Sequence, residues 1–204
     1  MKLYIVRHGI TEWNALQKVQ GSVDIPLAEE GIRLARLTGE ALKDVHFDLC
    51  FSSPLQRAKQ TAELILGERV SQVPVIPDKR IQEIDFGVLE GARFRDEKGR
   101  VVNKQMEVFF TAPLQYERPE DGENILDICK RTREFWEEKT TDPALRDKTI
   151  LIASHGCAVR AILQNIYQDV ANFWHGSVPP NCSINLVEVQ NGTAVLIEED
   201  KVYA

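Results

Sequence analysis

Cysteine is sparse and unpatterned. Cys50, Cys129, Cys157 and Cys182 form no Cys-x-x-Cys pair and stand at no metal-ligand spacing with the four histidines, His8, His46, His155 and His175. The reading is therefore of reduced thiols, with neither a dithiol centre nor a zinc site, and of a protein with no metal or other cofactor. No apolar run approaches the ~20 residues that span a bilayer. Met1-Lys2-Leu3 leads straight into a strand, leaving no room for a signal peptide, so a cytoplasmic protein without a membrane partner is expected. Positive charge is in deficit, 25 Lys and Arg against 31 Asp and Glu, net −6, so no overall field invites nucleic acid or an anionic surface. Internal repeats, low-complexity tracts and linkers are missing too. With 204 residues, 43% of them hydrophobic, the chain fits one domain over 1–204 around one sizeable core. A homodimer is compatible with it.

What is present is a set of apolar runs that end in groups able to hold an anion. Leu3-Tyr4-Ile5-Val6 empties into Arg7-His8-Gly9, and Thr149-Ile150-Leu151-Ile152-Ala153 into Ser154-His155-Gly156. Asp48-Leu49-Cys50-Phe51 passes through Ser52-Ser53-Pro54 into a helix with Arg57 in its first turn. Such runs read as strands covered on both faces, and in parallel sheets ligands sit at the carboxyl ends. If these strands are neighbours, Arg7, His8, Arg57 and His155 converge beside a helix N-terminus. That is a site suited to a dianion such as phosphate.

The rest of the chain alternates. Gly31 to Leu42 spaces Leu34, Leu37, Ala41 and Leu42 as a helical stripe. Arg57 to Leu66, Ile125 to Lys139 and Ala158 to Ile166 read as further helices, the second capped from Asp121-Gly122-Glu123-Asn124 with Ile125, Ile128, Cys129, Thr132 and Trp136 on one side. Val73-Pro74-Val75-Ile76-Pro77 is an edge strand at best, because proline cannot donate to a ladder. Asn191-Gly192, between Ser183–Val189 and Ala194–Glu199, signals a hairpin that adds antiparallel strands at an edge. The fold class is α/β: a three-layer sandwich with a mixed, mostly parallel sheet and helices on both faces. Residues 92–118 break the rhythm, polar at Arg93, Arg95, Lys98, Arg100 and Lys104, then apolar at Met106, Val108, Phe109 and Phe110.

The ordered segments Arg7–Asn14, Gln20-Gly21, Asp24–Leu27, Gly31, Ser52–Ala58, Glu83–Gly91, Gly122–Asn124 and Ser154–Gly156 resemble the histidine phosphatase superfamily, which includes the cofactor-dependent phosphoglycerate mutases and many small phosphatases. The resemblance implies a phosphoglycerate mutase-like fold, with 92–118 as an insertion over the active site, and a small phosphorylated metabolite as ligand. It makes His8 the nucleophile of a phosphohistidine intermediate, its inner N–H held by a backbone carbonyl. Arg7, Arg57 and His155 would surround the phosphate oxygens, Asn14 would add a neutral donor, and Gln20, Gly21 and Gly156 would border the substrate. Glu83 would be the acid that protonates the leaving oxygen and then the base that activates water. That role needs a raised pKa, just as the lone pair of His8 needs a lowered one.

A metal-independent phosphomonoesterase is the leading reading. Glu83-Ile84-Asp85-Phe86-Gly87 looks like the phosphatase form of its motif, whereas mutases usually carry a Glu-Arg-His-Tyr-Gly type sequence, and Cys157 stands where mutases commonly place asparagine. A phosphoglycerate mutase is the alternative. A pocket that binds phosphorylated ligands without turnover is a third, set against the presence of all the reactive groups. Cys157 itself reads as a small apolar residue at a helix start rather than a redox thiol, and His46 and His175 as loop residues.

Overall fold

The run that carries Arg7 and His8 lies near the middle of a six-stranded sheet. A computed structural model describes residues 1–203. Strands β1 (Lys2–Arg7), β2 (Leu49–Ser52), β3 (Val75–Pro77), β4 (Thr149–Ser154), β5 (Ile184–Gln190) and β6 (Thr193–Lys201) are ordered β3-β2-β4-β1-β5-β6. The first four are parallel, and β5 and β6 join antiparallel at one edge. Register does the functional work: Arg7 pairs with Ser154 and Ser52 with Ala153. His8 and His155 therefore leave the sheet at one level, one residue beyond Ser53.

Both faces of the sheet are covered, because adjacent residues of each central strand are apolar. Leu3, Ile5, Phe51, Ile150 and Ile152 pack on one side against α5 (Ile125–Thr141) and α6 (Gly156–Leu163), through Phe135, Trp136, Val159 and Ile162. Val6, Cys50, Leu151 and Ala153 pack on the other side with Leu42, Ala62, Ile65 and Leu66, from the region of α2 (Glu29–Ala41) and α3 (Gln56–Leu66). Each fully buried aliphatic side chain contributes about 1.5–3 kcal/mol. The result is the expected three-layer α/β sandwich with a mixed sheet. Among the described residues no helix is long and apolar enough to cross a membrane.

Three local readings change. In α2 the buried face is Gly31, Ala35, Thr38 and Gly39, continued by Leu42, while Leu37 is 37% exposed and Ala41 faces solvent. The reason is close approach: a Cβ on Gly39 would lie 2.8 Å from the carbonyl oxygen of Ile65 in α3, so only small residues fit the contact and the leucines turn outward. Helix α6 begins at Gly156, two residues earlier than its spacing suggests, with His155 at the N-cap. Its first-turn amides are held by Glu83, far away in sequence. The 92–118 segment contains a short helix, α4 (Lys104–Thr111), capped by the side chain of Asn103. Met106 and Phe109 of α4 join Phe86, Tyr116 and Trp174 in a separate apolar cluster. Asn191 and Gly192 form the hairpin turn, both with positive φ (51° and 79°).

Candidate active site

Beyond the carboxyl end of β1, the ring of His8 is 2% exposed and its Nδ1 lies 2.7 Å from the carbonyl oxygen of Gly9. A carbonyl only accepts, so Nδ1 carries the proton and Nε2 keeps a lone pair. Burial holds the His8 pKa well below the usual histidine value, and the charges of Arg57 and Arg7 push it the same way. His155 is completely buried with its ring centroid 5.1 Å from that of His8. It too is kept neutral, by burial first and then by Arg57.

Two guanidiniums flank the rings, each aimed by backbone carbonyls. Arg7 Nη1 donates to the carbonyl of Pro179 at 2.5 Å. Arg57, fully buried in the first turn of α3, donates from Nη1 to Val23 at 2.7 Å and from Nη2 to Gly21 at 2.6 Å. Burial lowers both pKa values, that of Arg57 to about 10, and an arginine guanidinium stays charged in proteins. The Nε atoms of Arg7 and Arg57 and both ring nitrogens of His155 are buried without a hydrogen-bond partner in the protein. Such groups are costly to bury unless a hydrogen-bond partner meets them, an acceptor for the guanidinium N–H groups and one donor and one acceptor for the neutral His155 ring.

Glu83, 8% exposed, completes the arrangement. Its Oε1 accepts from the amides of Ile84 (3.1 Å) and Ala158 (3.0 Å), and its Oε2 from Cys157 (3.1 Å). Burial raises its pKa, outweighing these donors and the charge of Arg57. The segment carrying it is fixed from behind by Arg131, which donates to the carbonyls of Arg80, Gln82 and Glu83 and pairs with Glu123. Gly156 lies between these groups and Val178: a Cβ there would press on Val178 Cγ1 at 2.7 Å and stand in ordinary contact with Arg7 Nε at 3.4 Å and Glu83 Oε2 at 3.6 Å.

A cavity of about 330 Å³ opens beside Arg7 and Glu83, lined by them and by Asn14, Gln20 and Gly156 at its polar end; His8, Arg57 and His155 are not among its lining residues. Asn14 uses its Oδ1 to accept from Thr11 and Asn181, and Gln20 accepts from Thr11 Oγ1. Gly21 is buried and, like His8, Arg57 and His155, does not line the cavity; its carbonyl accepts from Arg57, its amide donates to Glu90, and a Cβ would collide with the Ile84 carbonyl at 2.2 Å. It supports Arg57.

The opposite wall is aromatic, formed by Phe86, Phe94, Phe109, Phe110 and Trp174 with Met106. Sequence reading missed this wall, although Phe109-Phe110 was visible, because Phe86 and Trp174 come from distant segments. It also missed Val178 and Asn181, whose Pro179-Pro180-Asn181 loop was the available signal. Of the insertion's cations, Arg95 lines the cavity, whereas Arg93, Lys98, Arg100 and Lys104 are exposed and Arg100 pairs with Asp96. Cys157 is buried among apolar groups, which pushes its thiol pKa far up, against a reactive thiolate. Neither His46 nor His175 borders the cavity. Among the described residues no group of three or more His, Cys, Asp or Glu could hold a metal ion.

Comparison with known proteins places this geometry in a family. Residues 3–199 match the model of the histidine phosphatase superfamily (branch 1). A 2,3-bisphosphoglycerate-dependent phosphoglycerate mutase from Cytophaga hutchinsonii is 32% identical over 165 residues, covering 80% of this chain and 76% of the mutase. The solved structure of YhfR from Bacillus stearothermophilus is similar with a TM-score of 0.87 and 29% identity, over 98% of this chain and 97% of that one. A phosphoserine phosphatase from Entamoeba histolytica, solved as a mutant in complex with phosphoserine, gives a TM-score of 0.79 at 28% identity, over 98% and 96%.

Proposed function

The chain belongs to the histidine phosphatase superfamily, and from that premise we propose that it is a metal-independent phosphomonoesterase working through a phosphohistidine on His8. The observation that carries the reading is the buried, unpartnered Arg7 Nε, Arg57 Nε and His155 nitrogens grouped beside a neutral His8. A phosphate monoester resists attack because its charge repels the nucleophile and its alkoxide leaves poorly. Fixed cationic donors answer the first difficulty and a protonated Glu83 the second.

In the first step His8 Nε2 forms a bond to phosphorus as the ester P–O bond breaks, and Glu83 gives its proton to the departing alcohol. In the second, Glu83 takes a proton from water, whose oxygen attacks phosphorus. The P–N bond breaks, and its electron pair returns to His8 as phosphate leaves. Arg7 and Arg57 neutralise the phosphoryl charge that a metal ion would otherwise offset.

The substrate is a small phosphorylated metabolite whose alcohol portion meets the aromatic wall of Phe86, Phe94, Phe109, Phe110 and Trp174. The relative from Cytophaga hutchinsonii favours a second reading, phosphoglycerate mutase. That reading must place a glycerate carboxylate in a cavity where Lys18 and Arg95 are the cations beyond Arg7. A phosphorus NMR time course separates the two. Inorganic phosphate released from aryl and alkyl esters in the presence of a chelator supports the hydrolase. Conversion of 3-phosphoglycerate to its 2-isomer without comparable phosphate release would replace it with the mutase.

A further inference from the structure

Arg160 of α6 is, with Arg57, among the largest fully buried side chains in the protein, yet it does not line the cavity. Its Nε and Nη2 both donate to the carbonyl of Ser177, at 3.0 and 2.9 Å. Nη1 donates to the Tyr167 hydroxyl at 2.9 Å and to Glu199 Oε1 at 2.8 Å, and Nη2 also pairs with Asp200. All the donors of the guanidinium are engaged, the condition under which a buried cation is tolerated. Two successive carboxylates reach it because β6 is irregular. Neighbouring residues of a regular strand point to opposite faces. Here the β5–β6 register shifts on either side of Leu186, and Asp200 takes a φ of +50°.

The residue that Arg160 grips begins a strap, Ser177 to Ser183, that underlies the phosphate site. Pro179 accepts from Arg7 Nη1 at 2.5 Å. Asn181 Nδ2 donates to the carbonyl of His8 at 2.9 Å, and the amide of Cys182 to that of Arg7 at 3.0 Å. Val178, between the gripped carbonyl and Pro179, forms part of the cavity wall against Gly156.

We propose that Arg160 is a positioning residue: by fixing the Ser177 carbonyl it sets the strap, and the strap sets the direction of the Arg7 guanidinium and the backbone of His8. The kinetic part of this inference rests on the proposed hydrolase function; the binding part does not. Arg160→Met alone would strand two carboxylates, so it is compared with Arg160→Met/Glu199→Gln/Asp200→Asn, which removes all the charges together. The triple variant is expected to recover most of the melting temperature that the single change loses. Its kcat/KM stays about 100-fold below wild type, the scale of a misplaced catalytic group. Its affinity for inorganic phosphate, titrated by phosphorus NMR, falls roughly tenfold or more. Arg160→Lys keeps a charge but has a single nitrogen for the Ser177 carbonyl, and is expected to show the same kinetic loss in a folded protein. Wild-type kcat/KM and phosphate affinity in either folded variant would overturn the proposal and leave the cluster a stability device. Phosphate binding is read without turnover. A wild-type chain that hydrolysed no ester would therefore sink the hydrolase reading while the binding titration still decided this one.

Discussion

Replacing Glu83 by glutamine separates the two halves of the proposed reaction. The carboxylate accepts from the amides of Ile84, Ala158 and Cys157. Glutamine offers one accepting oxygen, so at least one buried amide loses its partner, at a stability cost of about 1–3 kcal/mol. The chemical loss is larger, because positioned acid–base catalysis is worth roughly 10²–10⁴ in rate, or about 2.7–5.4 kcal/mol of barrier. The two steps feel it differently. 4-Nitrophenol leaves without protonation, so phosphorylation of His8 by its phosphate ester should stay fast, whereas water attack still needs the base. Stopped-flow absorbance is expected to give a burst of about one nitrophenolate per enzyme followed by a slow steady state. An alkyl phosphate should give no burst of alcohol by rapid quench. Equal slowing of the first turnover with both esters would remove Glu83 from the acid's role.

Further expectations follow from the same geometry. Arg57→Ala removes a buried donor and strands the carbonyls of Gly21 and Val23; kcat should fall by about 10²–10³, and a smaller loss in steady-state assays would place Arg57 outside the transition-state contacts. His8 and His155 are both depressed below the ordinary value of 6.5. The unfolded chain therefore takes up their protons first, and stability is complete above 6.5 and lost as pH falls toward the folded values, by up to roughly 1.4 kcal/mol per pH unit for each. Glu83, raised above 4.5, has the opposite sign, its stabilisation being lost as pH rises through its folded value. Melting temperatures of wild type should drop from pH 6.5 to pH 5 more steeply than those of a His8→Asn/His155→Asn variant; parallel curves would contradict the burial of neutral rings. Phe94→Ala or Phe110→Ala should raise KM for aryl phosphates by roughly 2- to 10-fold, the scale of one aromatic contact, with little change for glycerol phosphate. Equal effects on both substrates would show that the wall does not meet the leaving group.

Much of this was legible in the residues, and what escaped has physical reasons. The strands that carry Arg7, His8 and His155 are continuous apolar runs, and both of their faces are in fact covered. The register that levels His8 with His155 follows once those strands are neighbours. The face of α2 was misread because glycine and alanine carry almost no hydrophobic signal, yet close helix contact selects them. The start of α6 was misplaced because its cap is Glu83, a partner in space and not in sequence. The carbonyl of Gly21 serves Arg57, a support between residues 36 positions apart that no local spacing announces. The aromatic wall and the Arg160 network are assembled from segments far apart in the chain, and no local period announces such a meeting.

The most direct test is to mix enzyme with a phosphate monoester, quench within milliseconds, and map the phosphoryl group by peptide mass spectrometry under alkaline conditions that preserve phosphohistidine. The account predicts one acid-labile phosphoryl group on His8, lost in His8→Ala together with phosphate release. Phosphate release that persists in His8→Ala, or a phosphoryl group on any other residue, would contradict it.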